Sequence, residues 1–205
     1  MKRLALLALL ALAVPITAFA GSVDFTNTDG TLTGSTAGLS LAGSQLTVVA
    51  GLGGGGIITG NLGTVTFSTG SFISTTGTGV NSVTTFNGGG SFVITGNGMS
   101  GVPNGVIFNG TFNGPVTLTL QSTTASGGDI YRLDGNISGS WYNGTTVSGS
   151  TSQIYLFTGK NGWMGSSTVG SGDTIIGTVP EPGTLGLLGT GLVGLAGIVR
   201  KKLKG

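Results

Sequence analysis

Side chains able to do chemistry are scarce in this chain, and their spacing keeps most of them apart. There is no histidine and no cysteine, which removes Ser-His-Asp triads, Cys-His dyads and zinc sites built from nitrogen and sulfur ligands. Lys160, the one lysine outside the two chain ends, sits in Thr158-Gly159-Lys160-Asn161-Gly162, which reads as a solvated turn lysine rather than the base of a serine nucleophile. Glycoside hydrolysis needs two acids flanking one bond. Asp129 and Asp134 differ by an odd number, as do Asp24 and Asp29, so on one uninterrupted strand the members of each pair face opposite sides. Asp24-Phe25-Thr26-Asn27-Thr28-Asp29-Gly30 offers oxygen donors but neither the EF-hand order nor its closing Glu, and it reads as a turn. Gly51-x-Gly53-x-x-Gly56 has the spacing of a dinucleotide loop. No helix signal follows it, and no carboxylate appears before Asp129. The expectation is a protein without catalysis, cofactor or metal of its own.

The remaining chemistry is at the ends. Val179-Pro180-Glu181-Pro182 places one carboxylate between two prolines, whose rings fix φ and bias the preceding residues toward extended backbone. A protease or transpeptidase could reach such a segment. An uncharged Gly/Leu-rich run, Gly183–Val199, follows and then Arg200-Lys201-Lys202-Leu203-Lys204. At about 1.5 Å per residue a helix of that run just crosses a hydrocarbon core of about 30 Å, leaving the cationic end on the cytoplasmic side. At the other end Lys2 and Arg3 precede the apolar Leu4–Val14. Pro15 then breaks the run, and Ala18-Phe19-Ala20 has the small-x-small form of a signal-peptidase site.

The tail resembles the PEP-CTERM sorting domain of Gram-negative bacteria. Pro180, Glu181 and Pro182 correspond to its motif, Gly183–Val199 to its hydrophobic segment and Arg200–Lys204 to its basic cluster. The resemblance implies processing by exosortase, a membrane-embedded cysteine transpeptidase. It also implies transient anchoring in the inner membrane, followed by transfer to the cell surface or extracellular matrix. An ordinary single-span anchor behind a proline-rich stalk is the plainer alternative.

Five segments follow: a signal peptide (1–20), a passenger (21–172), a linker holding the motif (173–182), a transmembrane segment (183–199) and a basic cytoplasmic tail (200–205). The passenger is less basic than the whole chain. Over residues 21–178 its two cations, Arg132 and Lys160, stand against Asp24, Asp29, Asp129, Asp134 and Asp173. Nucleic-acid binding, which needs a basic stripe, is therefore excluded.

The passenger reads as all-β. Tyr131, Leu133, Gly135, Ile137, Gly139 and Trp141 alternate with Arg132, Asp134, Asn136, Ser138 and Ser140, the pattern of a half-buried strand. Val106–Phe112 and Val116–Leu120 alternate likewise, and Asn113-Gly114-Pro115 between them predicts a hairpin. Asn143-Gly144 predicts another, joining Tyr131–Tyr142 to Thr145–Thr158. Shorter strands are expected at Gly38–Ala42, Gln45–Ala50, Thr64–Ser68, Phe72–Thr75 and Ser91–Thr95, with a last one within Ser166–Ile176. Many short strands between Gly, Asn and Ser argue for an antiparallel β-sandwich, jelly roll or small barrel. A solenoid lacks a fixed repeat here, and nine Phe are more core than a disordered chain carries.

Trp141, Tyr142 and Trp163 fall near hairpin ends, where rings could stack on sugars. Parity points Trp141 inward and Tyr142 outward, and Trp163 follows a turn, so Tyr142 and Trp163 are the candidate glycan contacts. Three glycosylation sequons, beginning at Asn109, Asn136 and Asn143, coincide with turn chemistry. The run Phe92–Leu120 is similar to PEP-CTERM proteins of acidobacteria, a likeness that brings no activity with it. The expected function is an exported structural protein of the surface or matrix, handled by signal peptidase and an exosortase-type transpeptidase. An exopolysaccharide-binding module is the alternative.

Overall fold

The computed structural model describes residues 21–157 and 162–177. The signal-peptide residues, Lys160 and everything from 178 onward, including the Pro-Glu-Pro motif, the apolar run and the basic cluster, lie outside the described residues. No described helix is long and apolar enough to cross a membrane.

Among the described residues, twelve antiparallel strands make one sheet, with a short 3-10 turn at Leu52–Gly54. In chain order they are β1 (Ser22–Thr28), β2 (Thr31–Ser35), β3 (Gly38–Ala50), β4 (Ile57–Ser68), β5 (Phe72–Thr76), β6 (Val83–Phe86), β7 (Gly89–Asn97), β8 (Asn104–Phe112), β9 (Val116–Thr123), β10 (Asp129–Trp141), β11 (Thr146–Phe157) and β12 (Gly165–Gly177). The pairing is simpler than the count. β1 and β2 run in sequence along the same two neighbours, β12 and β3. β6 and β7 follow the line of β5 and β4, and β8 and β9 follow one edge of β10. Four broken strands (β1–β2, β4–β5, β6–β7, β8–β9) and four continuous ones (β3, β10, β11, β12) therefore make eight staves. Each stave pairs with the next in the chain, and β12 returns to β1. The all-β, sandwich-like body is as the residues predicted. Its connections are those of a meander closed on itself, which removes most free sheet edge.

The expected hairpin at Asn113-Gly114-Pro115 is corrected. Phe112 pairs with Ile137 and Thr117 with Asp134 on the same strand, so the chain passes this tripeptide without reversing. The Asn113 N–H donates to the Asn136 carbonyl (2.8 Å), keeping the ladder through the break, while Pro115 has no donor to give. Asp24–Thr28, read as part of a turn, is strand β1; only Asp29 and Gly30, at φ 60° and 83°, break the line. The final strand runs to Gly177, into the segment assigned from sequence to the linker, because Thr174 and Ile176 continue the inward alternation.

The breaks align across neighbouring staves as a crease. A Cβ on Gly38 would lie 2.5 Å from the Gly70 carbonyl oxygen, and one on Gly70 would lie 2.6 Å from that of Gly88. A Cβ on Gly88 would strike the Gly114 carbonyl. Strands approach here more closely than any side chain allows.

Inward alternation fills the interior. Phe67, Phe92 and Phe112 pack with centroids 5.5–5.7 Å apart. Phe25 of β1 reaches Trp141 of β10 across the body. One buried polar chain interrupts the apolar core. The Asn27 and Gln153 carboxamides bond reciprocally (2.9 and 3.1 Å). Asn27 also donates to Ser44 Oγ, Gln153 donates to Thr151 Oγ1, and Thr151 meets Thr174.

Candidate functional site

Three features of the described body bear on function: the place where the chain leaves it, the carboxylates near that exit, and the aromatic rings. Both ends of the described body lie together, since Ser22 pairs with Gly177 and Ser148 flanks Gly177 on the other side. A meander of eight staves must return its last strand beside its first, so the signal-peptide junction and the tail junction share one end. The β3–β4, β7–β8 and β10–β11 connections also lie at that end and carry Leu52, Met99 and Tyr142, with Ile57 opening β4 beside the first of them.

On the outer face of β10, β11, β12 and β1, pairing sets Asp134, Ser152, Asp173 and Thr26 in one row. Ser152 Oγ donates to Asp134 (2.9 Å), Arg132 donates to the other oxygen of the same carboxylate (2.7 Å), and Thr26 donates to Asp173 (3.3 Å). The Arg132–Asp134 pair is exposed on both sides, worth at most about 1 kcal/mol. Asp24 lies diagonally from Asp173, beside Thr26. Burial first, then the neighbouring Asp173, raises its carboxyl to about 6, and one of its oxygens is enclosed without a partner. The parity rule compared acids within one strand and so missed this pair, whose members meet only because the first and last strands close the sheet. No cluster of three or more potential metal-ligating side chains occurs among the described residues. The acids share a continuous sheet face rather than opposing each other across a gap.

A proton-linked effect follows. Unfolded, Asp24 titrates near 3.8, while in the fold it titrates near 6. The native state therefore holds more protons between those values, and stability falls as pH rises through that window. The side chain is partly open to water, so screening limits the effect to on the order of 1 kcal/mol. Asp24→Asn should match the parent near pH 4 and exceed it by that amount at pH 7.5, as read by urea denaturation. Equal stability at both pH values would show that the pair does not couple to folding.

The aromatic expectation is corrected in part. Trp163 is only 9% exposed. It stacks on Phe72 (5.4 Å) and meets Phe86 edge-on (5.1 Å), closing the far end of the body. A loop ring over an open barrel end buries more apolar area than one left in water. Trp141 packs inward on Phe108 and Phe25. Tyr142 is exposed and lies apart from Trp163, so the two do not form one platform. Near the exit, Ser22, Asn113, Asn136, Ser148, Ser150 and Ile175 line most of a shallow depression of about 470 Å³. Its lining is uncharged, with amides and hydroxyls beside Ile137 and Ile175.

No curated protein and no solved structure matches this chain. The model of the PEP-CTERM protein-sorting motif matches residues 178–201, the segment that holds Pro180-Glu181-Pro182, the apolar run and the first basic residues. The chain is thus an exported protein that carries a C-terminal sorting signal, of the kind that exosortase-type enzymes process.

Proposed function

We propose that the body is a structural component of the cell surface or extracellular matrix, without catalysis of its own. In this reading signal peptidase frees Gly21, the tail holds the protein briefly in the inner membrane, and a transpeptidase then acts near Glu181. The observation that carries it is the sorting motif directly behind a closed, weakly charged sheet. Gly177 is still paired on both sides, and Val179 begins the motif two residues later. A body whose strands are nearly all paired is suited to persist outside the cell without disulfides.

Mass spectrometry of the surface form tests this. The expected product begins at Gly21 and has lost the Gly183–Gly205 segment, while a variant with alanine at Pro180, Glu181 and Pro182 keeps its tail and stays with the membrane. A mature surface form still ending in Gly205 would refute the sorting step. The depression lined by Asn113, Asn136, Ser148 and Ser150 favours a second reading, a neutral exopolysaccharide bound through amides and hydroxyls. Retention on immobilised polysaccharide, lost in Asn136→Ala, would support it.

A further inference from the structure

We propose that, while anchored, the body stands end-on on the bilayer, with Ile57, Met99 and Tyr142 against the lipid surface. The inference rests on the reading that Gly183–Val199 occupies the membrane. From Gly177, the last residue held in the sheet, to Gly183 there are only residues 178–182. Fully extended, that stretch spans about 20 Å. β12 runs 13 residues from the far end to this one, about 40 Å along the strand, so the far end is beyond the reach of the tether. Exposed apolar groups alone do not choose the end, since Val80 and Met164 are also exposed and belong to the far end. The exit of the chain chooses it.

Two orientations remain, end-on or lying on the flank beside the exit. That flank carries Asp24, Asp134 and Asp173, and pressing ionised carboxylates against headgroups removes their hydration at high cost. Among the described residues, the loops at this end carry no charged side chain. Its connections read Gly51-Leu-Gly-Gly-Gly-Gly56 before Ile57, Gly98-Met-Ser-Gly-Val-Pro103, and Tyr142-Asn-Gly-Thr145. Ile57 is 74% exposed, Met99 59% and Tyr142 60%. Single apolar side chains and a tyrosine on short loops suit the interfacial zone, where amphipathic rings settle.

The absence of cysteine allows a direct test. Ile57→Cys, Met99→Cys and Tyr142→Cys, with Val80→Cys and Ile73→Cys as far-end controls, are labelled with an environment-sensitive fluorophore. The exported chain, tail intact, is reconstituted into vesicles of phosphatidylethanolamine and phosphatidylglycerol carrying nitroxide lipids. The expected result is blue-shifted emission and loss of fluorescence at 57, 99 and 142, with neither at 80 nor 73. A chain that floats with the vesicles but shows equal response at both ends, or none, overturns the orientation and leaves anchoring intact. A chain that does not float overturns the anchoring reading and this proposal with it. All five positions are exposed or peripheral, so the substitutions leave the core untouched.

Discussion

A single methyl group added at Gly88 is expected to cost the fold about 3 kcal/mol, the upper range for overpacking a site that cannot relax, from a total stability of roughly 5–15 kcal/mol. The new Cβ would strike the Gly114 carbonyl oxygen, with the Gly114 nitrogen and carbonyl carbon each 3.0 Å away. All three are backbone atoms, so no side chain can swing aside. Moving Gly114 disturbs the Asn113–Asn136 hydrogen bond that carries the β8–β9 stave past its break. Moving Gly88 instead disturbs the contact in which Gly70 lies against the Gly88 carbonyl, and with it the Gly70–Asn87 hydrogen bond. Gly56→Ala is the control. A Cβ there meets nothing within 4 Å, and its backbone is not left-handed. Alanine should be neutral or stabilise by a few tenths to about 1 kcal/mol through the unfolded chain. Thermal melts should place the Gly88 variant several degrees below the parent and the Gly56 variant at or slightly above it. Similar losses at both positions would mean that glycine content, not the crease, sets stability.

That contrast also explains what the residues could and could not reveal. Strand identity was legible wherever inward positions are apolar, as from Tyr131 to Trp141, because side chains alternate across a strand whatever surrounds it. The crease was not. Asn113-Gly114-Pro115 is a turn signal, but the same residues suit a jog that continues forward, and only a neighbouring strand decides between them. β1 was hidden for another reason: Asn27 is an inward residue that is polar, so the alternation of Val23 and Phe25 ends early. Trp163 was misplaced because a loop that folds over a barrel end leaves no periodic trace. The sorting motif, a contiguous stretch, was fully legible. The Asp24–Asp173 pair joins residues far apart in the chain, and no local pattern encodes it.

Breaking the buried amide pair should produce the other large effect, with an uncommon signature. Gln153→Met is expected to cost about 1–3 kcal/mol, because it leaves the buried Asn27 carboxamide oxygen without its donor. Asn27→Val should cost a similar amount by orphaning Gln153. The double variant should cost less than the sum of the two, and no more than the worse single one. Ser44 would still donate to the Thr28 carbonyl (3.1 Å), and Thr151 would still have Thr174 and the Asp173 carbonyl, so no buried partner is left wanting. Denaturant midpoints of the four proteins give the coupling directly; simple additivity would show that the amides act independently. The position of the pair gives it a purpose beyond stability. Asn27 is on β1 and Gln153 on β11, with β12 between them, so the pair bridges the seam where the first strand meets the last. Gly172 of β12 leaves the space that the Gln153 amide fills. A slip of one residue at that seam would turn Asn27 outward and strand Gln153 in the core, whereas an apolar pair would tolerate several registers. In a chain with no cysteine to lock its closure, this hydrogen-bonded pair selects the register in which the sheet closes.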